Sequence, residues 1–226
     1  MIDDALRQIK RFRGSSLAQT IASIETRLKR ATNKDAMAVN AAVHVDKSLI
    51  ASAAQVKRAS AQIDVVIHTA GILYSLPYLL GEEEIVKSVS LGAGNAGSDF
   101  DLVTNQRIAE FKFIYWQGGS ESVRKKTFFQ DYFKLIRDQS QRAKYFYLLN
   151  TEIPLRFLSG KSQALKMLDR NRRLADDFQQ MYGTTFQTVG EYYSAHRDQV
   201  KFVNLIEIVP DLQQLVGLPD NETEAV

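Results

Sequence analysis

Apolar residues recur at helical spacing in the first part of the chain and predict helices there. Two apolar stripes have members three or four positions apart. They are Leu6, Ile9 and Phe12, then Leu17, Ile21, Ile24 and Leu28. Gly14-Ser15-Ser16 separates the stripes as a break followed by a helix cap. Residues 34–62 are rich in alanine and are expected to be helical from about Asp46. Residues 1–62 are therefore predicted to be a helical extension packed on a core.

The polar and apolar pattern changes near residue 63 and then alternates between helical and strand periods. The predicted elements are, in order, a helix over 63–80, strands over 85–91, 100–103 and 108–115, a helix over 123–139 and a strand over 144–149. An order of helix, three strands, helix and strand is typical of a mixed α/β core. We expect this core to occupy residues 63–150.

The last part of the chain is predicted to be a mainly helical extension over residues 151–226. Its expected elements are helices at about 159–168, 170–182 and 186–197, one strand over 202–209, and an acidic, frayed tail over 219–226. The fold class is therefore α/β, with helices added at both ends of the core.

The amino-acid composition excludes several kinds of functional site but says little about binding partners. The 226 residues include no cysteine, which excludes disulfide scaffolds, thiolate zinc sites and cysteine nucleophiles. The three histidines, His44, His68 and His196, are far apart in sequence and are taken as structural. The net charge is only +3, from 29 Lys and Arg against 26 Asp and Glu, so any nucleic-acid contact must depend on local clusters. No targeting pattern is visible, so a cytoplasmic location and no membrane partner are expected.

A glycine-rich stretch is the first candidate motif, but the residues that follow it do not have the pattern that this motif requires. Gly92-x-Gly94-x-x-Gly97 matches the dinucleotide fingerprint, which requires a helix N-terminus next to hold the pyrophosphate. The residues that follow, Ser98 to Thr104, instead have a strand pattern with two carboxylates, which would repel phosphate. A nucleotide-binding oxidoreductase is therefore set aside.

Acidic side chains cluster on the predicted hairpin that follows. If its strands pair around a two-residue loop, Asn105-Gln106, then Asp101 lies opposite Glu110, and Asp99 lies opposite Lys112. All four polar side chains then project to one face, where directly opposed carboxylates are destabilising. A hard divalent cation would relieve the repulsion, since Mg²⁺ is commonly held by one or two carboxylates, waters and phosphate oxygens. Ordinary ion pairs on a solvated hairpin are the alternative.

The segment 63–150 resembles the PD-(D/E)XK nuclease superfamily, whose fold is restriction-endonuclease-like. The resemblance consists of Asp101, a turn and then Glu110-x-Lys112, within the order helix, three strands, helix and strand. The family's Pro before the first acid is absent, because Phe100 stands there. The resemblance implies a Mg²⁺- or Mn²⁺-dependent phosphodiesterase acting on DNA. It assigns metal binding to Asp101, Glu110 and the backbone carbonyl of Phe111, with Asp99 and one of Glu82, Glu83 and Glu84 as further candidates. It assigns the catalytic lysine to Lys112.

The helix after the hairpin adds a basic stripe. Its polar members recur at three- and four-residue spacing and are Lys126, Gln130, Lys134 and Arg137. By the same resemblance Gln130 is expected beside the active centre. Arg124, Lys125, Lys126 and Lys134 are candidates for nucleic-acid contact, although a solvated helix face is an equal alternative.

The sequence is compatible with two further alternatives. The same scaffold could be a catalytically inactive module that binds nucleic acid or protein. The oligomeric state is also open, a homodimer included.

Overall fold

The computed structural model describes residues 2–61, 63–92, 99–116 and 122–216. The glycine-rich motif, apart from Gly92, and the acidic tail lie outside these residues. The chain divides into two compact units, Met1–Asp64 and Val65–Val226. Within the described ranges, no helix is both long enough and apolar enough to cross a lipid bilayer.

The first unit is built from four short helices, which are α1 Ile2–Arg13, α2 Leu17–Leu28, α3 Asn33–Ala42 and α4 Lys47–Ser60. The predicted helix start near Asp46 is confirmed, because the Asp46 carboxylate accepts hydrogen bonds from the first backbone amides of α4. The patterning did not predict α3. This helix begins at a capping box between Thr32 and Asp35 and has only a weak apolar stripe.

The second unit carries the α/β core and further helices. Its elements in chain order are α5 Ile63–Leu79, β1 Val86–Val89, β2 Leu102–Thr104, β3 Arg107–Lys112, α6 Ser122–Arg137, β4 Ala143–Leu148, α7 Glu152–Leu158, α8 Ala164–Leu168, α9 Arg172–Tyr182, α10 Val189–His196, β5 Lys201–Asn204 and α11 Leu205–Ile208. A 3₁₀ helix follows at Pro210–Leu215. The predicted order of helix, three strands, helix and strand is confirmed.

Two of the predicted boundaries in this unit are wrong. Only the second half of the helix expected at about 159–168 is helical, as α8, and α7 before it was not predicted, so the chain is divided here into two short helices. The division falls at Gly160, where a Cβ would lie 2.9 Å from the Phe157 carbonyl oxygen. The strand expected over 202–209 ends at Asn204, because the Asn204 side chain accepts a hydrogen bond from Ile206 N and begins α11.

The five strands form one mixed sheet in the order β1-β2-β3-β4-β5. Strands β1, β2 and β3 are antiparallel neighbours, whereas β3, β4 and β5 run parallel. Leu102 pairs with Ala109 and Val103 with Ile108, which confirms the predicted hairpin register. A parallel pair needs a crossover, and α6 supplies it between β3 and β4.

Helices cover both faces of this sheet, and alternation along β3 divides its side chains between them. Ala109 and Phe111 join the apolar cluster that includes Ile72 of α5 and Leu205 of α11. Ile108 joins the larger cluster formed with α6, α9 and α10. Glu110 and Lys112 have the same parity as Ile108, so they lie on the α6 face.

The close approach of α5 to the residue after β3 gives a first prediction. A Cβ at Gly71 would lie about 2.6 Å from Phe113 Cδ1, so Gly71→Ala forces the ring or the helix to move. We expect overpacking of about 1–3 kcal/mol, offset in part by the roughly 1 kcal/mol better helix propensity of alanine. Urea unfolding should show a lower midpoint.

Gly81→Ala is the matched control, because its Cβ would meet nothing closer than Glu84 Oε2 at 3.9 Å. Equal midpoints for the two variants would contradict the close contact.

Candidate functional site

The Asp101 carboxylate lies at the point where β2 begins to pair with β3. Its Oδ2 accepts a hydrogen bond from the backbone amide of Phe111 at 2.8 Å. Its Oδ1 lies 3.4 Å from Nε2 of His68, which is on α5. Because Leu102 pairs with Ala109, the next position in the register places Asp101 across from Glu110. The register therefore puts the two predicted carboxylates at opposed positions of the hairpin, and the negative charge of Asp101 acts on Glu110.

Glu110 is buried, with only 4% of its surface exposed. Its Oε2 lies 3.7 Å from Lys112 Nζ, which is longer than a hydrogen bond. Burial raises the pKa of Glu110 well above its ordinary value, and the negative charges of Asp131 and Asp101 raise it further. The fold thus holds a carboxylate where it is costly to ionise.

An acidic residue of α6, Asp131, connects this helix to the cluster formed by Asp101, Glu110 and Lys112. Asp131 accepts from Lys112 Nζ at 2.7 Å through Oδ2 and from Lys134 Nζ at 2.8 Å through Oδ1. Burial by itself would raise the pKa of Asp131, but the two ammonium groups outweigh burial and lower it. Asp131 is therefore an anion held between two cations.

Lys112 remains a cation in these surroundings. Burial opposes its charge, but the negative charges of Asp131 and Glu110 outweigh burial and raise the pKa of Lys112. A protonated lysine cannot accept a proton from water. It can donate hydrogen bonds and place positive charge beside the carboxylates.

The rest of the predicted basic stripe on α6 is engaged with neighbouring helices. Lys126 pairs with Asp169 at 2.7 Å, and Arg137 pairs with Asp177 of α9. Gln130 donates its amide to the Met167 carbonyl of α8 at 3.3 Å. The α6 side chain that contacts Lys112 is thus Asp131 rather than Gln130.

The remaining predicted residues lie in different surroundings. Arg124 lines a cavity next to Lys112, and Lys125 is half-buried. Asp99, Glu82 and Glu83 are exposed.

Glu84 is buried at the loop end of the hairpin. It accepts from Arg107 Nε and from Thr104 Oγ1, each at 2.6 Å. Because Arg107 lies three residues before Glu110 along β3, this network is separate from the cluster around Asp101.

Sequence reasoning missed two residues of the cluster, Asp131 and His68. The signal for Asp131 is its place inside α6, where aromatic residues flank it on both sides, namely Phe128, Phe129, Tyr132 and Phe133. A charged residue within such a run is buried and needs partners. His68 carried no comparable signal, since only the tertiary fold brings α5 to Asp101.

Within the part of the chain that the structure describes, no group of three or more His, Asp or Glu side chains is close enough to form a ready set of metal ligands. Comparisons with models of protein families, with curated proteins and with solved structures return no significant match. The function must therefore be argued from the residues themselves.

The surroundings of Glu84 predict that it stabilises the fold. Removing one partner of a buried ion pair costs about 3–5 kcal/mol, so Glu84→Gln should lower the free energy of unfolding by an amount of this order. Burial raises the pKa of Glu84, but hydrogen bonds from Arg107 and Thr104 outweigh burial and lower it below 4.5. The wild-type advantage should therefore be complete above about pH 4.5 and disappear as the pH falls through the lowered pKa.

Chemical denaturation at several pH values measures this advantage. Glu83→Gln, at the exposed neighbouring position, is the control and should unfold like the wild type. A difference between wild type and Glu84→Gln that does not change with pH would contradict the assignment.

Proposed function

We propose that the chain is a divalent-metal-dependent nuclease that hydrolyses phosphodiester bonds in DNA, with a core similar to that of the PD-(D/E)XK superfamily. The observation that carries the proposal is the pairing of β2 with β3. It puts Asp101 opposite Glu110 in the hairpin, with the ammonium group of Lys112 two residues further along β3. The order of elements from α5 to β4 supports the same reading.

The donor set suits Mg²⁺ or Mn²⁺. Asp101 and Glu110 offer carboxylate oxygens, and the buried Glu110 gains from any cation that offsets Asp101 and Asp131. Two carboxylates are enough for Mg²⁺, which keeps several waters and takes further oxygens from substrate phosphates. Asp101, Glu110 and the Phe111 carbonyl would hold the ion. A bound ion at this place would polarise a phosphoryl oxygen and make a coordinated water more acidic.

The chain's own residues would position the substrate and balance its charge. Lys112 is an ammonium group on the face of the two carboxylates, so it can donate to a phosphate oxygen and stabilise the negative charge that develops on it. Asp131 fixes where that ammonium group lies, at 2.7 Å, and so acts as a positioning residue. Lys134 balances the second oxygen of Asp131, which leaves Lys112 the shared cation of Asp131 and Glu110.

One observation favours a second candidate function, a binding module without catalysis on the same scaffold. Lys112 is already held by Asp131, while Lys126 and Arg137 are paired with acids on or next to neighbouring helices. Such a module would bind nucleic acid through surface cations or would bind a protein. Binding through phosphates weakens steeply as salt rises, which separates these two classes of partner.

The metal site predicts a thermal shift that does not depend on activity. At 100 times its Kd, an ion that binds only the folded state stabilises it by about 2.7 kcal/mol, or roughly 5–10 °C in Tm for a chain of this size. Mg²⁺ or Mn²⁺ should therefore raise the Tm of the wild type but not that of Glu110→Gln. Without metal, Glu110→Gln should unfold no earlier than the wild type, because it removes a buried like-charge repulsion.

Differential scanning calorimetry in chelator and in metal measures both effects. Glu25→Gln, an exposed substitution in the first unit, is the matched control and should respond like the wild type. An equal metal-induced shift in Glu110→Gln would place the ion elsewhere.

The proposed activity predicts metal-dependent cleavage of plasmid, linear or branched DNA. Loss of a ligand to a catalytic ion removes several kcal/mol of transition-state stabilisation, so Asp101→Asn and Glu110→Gln should each reduce the rate by roughly 100-fold or more. Glu25→Gln should cleave at the wild-type rate. A wild type that binds DNA in a salt-dependent way without cleaving any of the three substrates would support the binding module and overturn the nuclease.

A further inference from the structure

The charge of the chain is divided unevenly between its two units. The first 64 residues hold eleven Lys and Arg against six Asp and Glu, and the whole chain holds 29 against 26, which leaves the second unit with 18 against 20. The positive net charge of the chain therefore comes from the first unit. Concentrated positive charge of this kind attracts polyanions.

Two short runs account for most of these cations. Residues 7–13 and residues 27–34 each contain four Lys and Arg and no Asp or Glu, and all eight basic side chains are exposed. These eight side chains form the basic surface of the first unit. They are Arg7, Lys10, Arg11 and Arg13 in the second half of α1, and Arg27, Lys29, Arg30 and Lys34 around the end of α2.

Most of the basic surface is not committed to ion pairs. Within the described ranges, Arg7 contacts Asp4 and Arg11 contacts His44, and the other six side chains have no ion-pair or hydrogen-bond partner. On α6, by contrast, the three cations of the predicted stripe are each held by an acid. The basic surface can therefore exchange water for phosphate without breaking ion pairs, which the α6 stripe cannot.

A turn at the end of α2 has two of these cations at its centre. The amide of Ala31 donates to the Leu28 carbonyl oxygen at 3.1 Å, and Lys29 between them has φ −60° and ψ 119°. Arg30 follows with φ +60°, and these values match a type II β-turn. The third position of that turn favours glycine, because in a left-handed residue the Cβ lies too close to the following carbonyl oxygen. The chain thus carries an arginine where glycine would fit with less strain.

The surroundings favour a phosphate backbone over a lipid surface as the partner. Binding in a membrane interface needs an apolar helix face beside the basic one. Part of the apolar side of α1 is taken up by packing within the unit, where Ala5 is buried and Ser52 of α4 donates to Gln8 at 2.8 Å. The run 27–34 has a single large apolar residue, Leu28. Contact with phosphates requires only exposed cations.

We propose that the basic surface of the first unit binds the phosphate backbone of DNA without reading its sequence. The helix α2 connects the two runs and, with 12 residues, is about 18 Å long, a length over which duplex DNA carries roughly ten phosphate charges. Contacts to phosphates hold the duplex but carry no base information. The choice of DNA as the polyanion rests on the proposed nuclease function, for which the first unit would hold the substrate.

The salt dependence of DNA binding tests the basic surface. The full chain is titrated in chelator against a fluorescently labelled short duplex, and anisotropy gives the Kd at several salt concentrations. Each phosphate contact contributes about 0.9 to the slope of log K against log salt concentration. Lys29→Gln combined with Arg30→Gly removes two contacts, so the slope should fall by about 1.8 and binding at about 0.1 M salt should weaken roughly 10- to 100-fold.

The same double variant separates binding from folding. Glycine relieves the left-handed strain at residue 30, so the variant should unfold at the same or a higher urea concentration than the wild type while binding DNA more weakly. Lys57→Gln combined with Arg58→Gln is the matched control. It removes the same pair of residue types from exposed positions near the end of α4, outside the basic surface, and should keep the wild-type slope.

An unchanged slope in the variant at 29 and 30, an equal loss in the control, or binding to phosphatidylglycerol vesicles with none to DNA would each overturn the proposal. Failure of the nuclease is a separate result. Binding that depends on the basic surface in chelator, with no cleavage in metal, would keep the surface and reject catalysis. Cleavage in metal with the same salt slope in wild type and variant would do the reverse.

Discussion

The burial of the Glu110 carboxylate is the constraint around which the second unit is arranged. A strand in the middle of a sheet presents this acid to the inner face of α6, where Asp101 and Asp131 add negative charge. The negative charges of these three acids need cations, and Lys112 and Lys134 supply them from β3 and α6. The same ion pairs fasten the crossover helix to the sheet. At this place in the fold, the ion pairs that balance the buried charges also hold α6 against the sheet.

Strand alternation was enough to predict the carboxylate pair. The parity of Asp101 and Glu110 follows from the sequence, and a two-residue loop at 105–106 allowed only one simple register, which the pairing of Leu102 with Ala109 confirms. These are local properties of a hairpin. They do not require knowledge of what packs on the sheet, which is why they could be obtained without the structure.

The partners across the sheet were harder to predict, because they depend on the rotation of α6 about its axis. Helical spacing gave a polar stripe containing Gln130 and Lys134, but Asp131 lies on a neighbouring face that aromatic residues dominate. Nearly every face of α6 is buried, so a polar stripe could not show which face meets β3. The pairing of Lys126 with Asp169 and of Arg137 with Asp177 likewise needs contacts across 40 or more residues of sequence.

The hydrogen bond from the Phe111 amide to Asp101 makes a candidate metal ligand part of the hydrogen bonding of the sheet. At this position a side-chain oxygen, rather than a backbone carbonyl, satisfies an amide of β3. A substitution at residue 101 that lacks an acceptor would therefore leave a strand amide without its partner as well as removing a charge. Asparagine can supply the same acceptor oxygen as aspartate at this position. An exchange of Asp for Asn at residue 101 would therefore remove the negative charge that acts on Glu110 while keeping the strand amide satisfied.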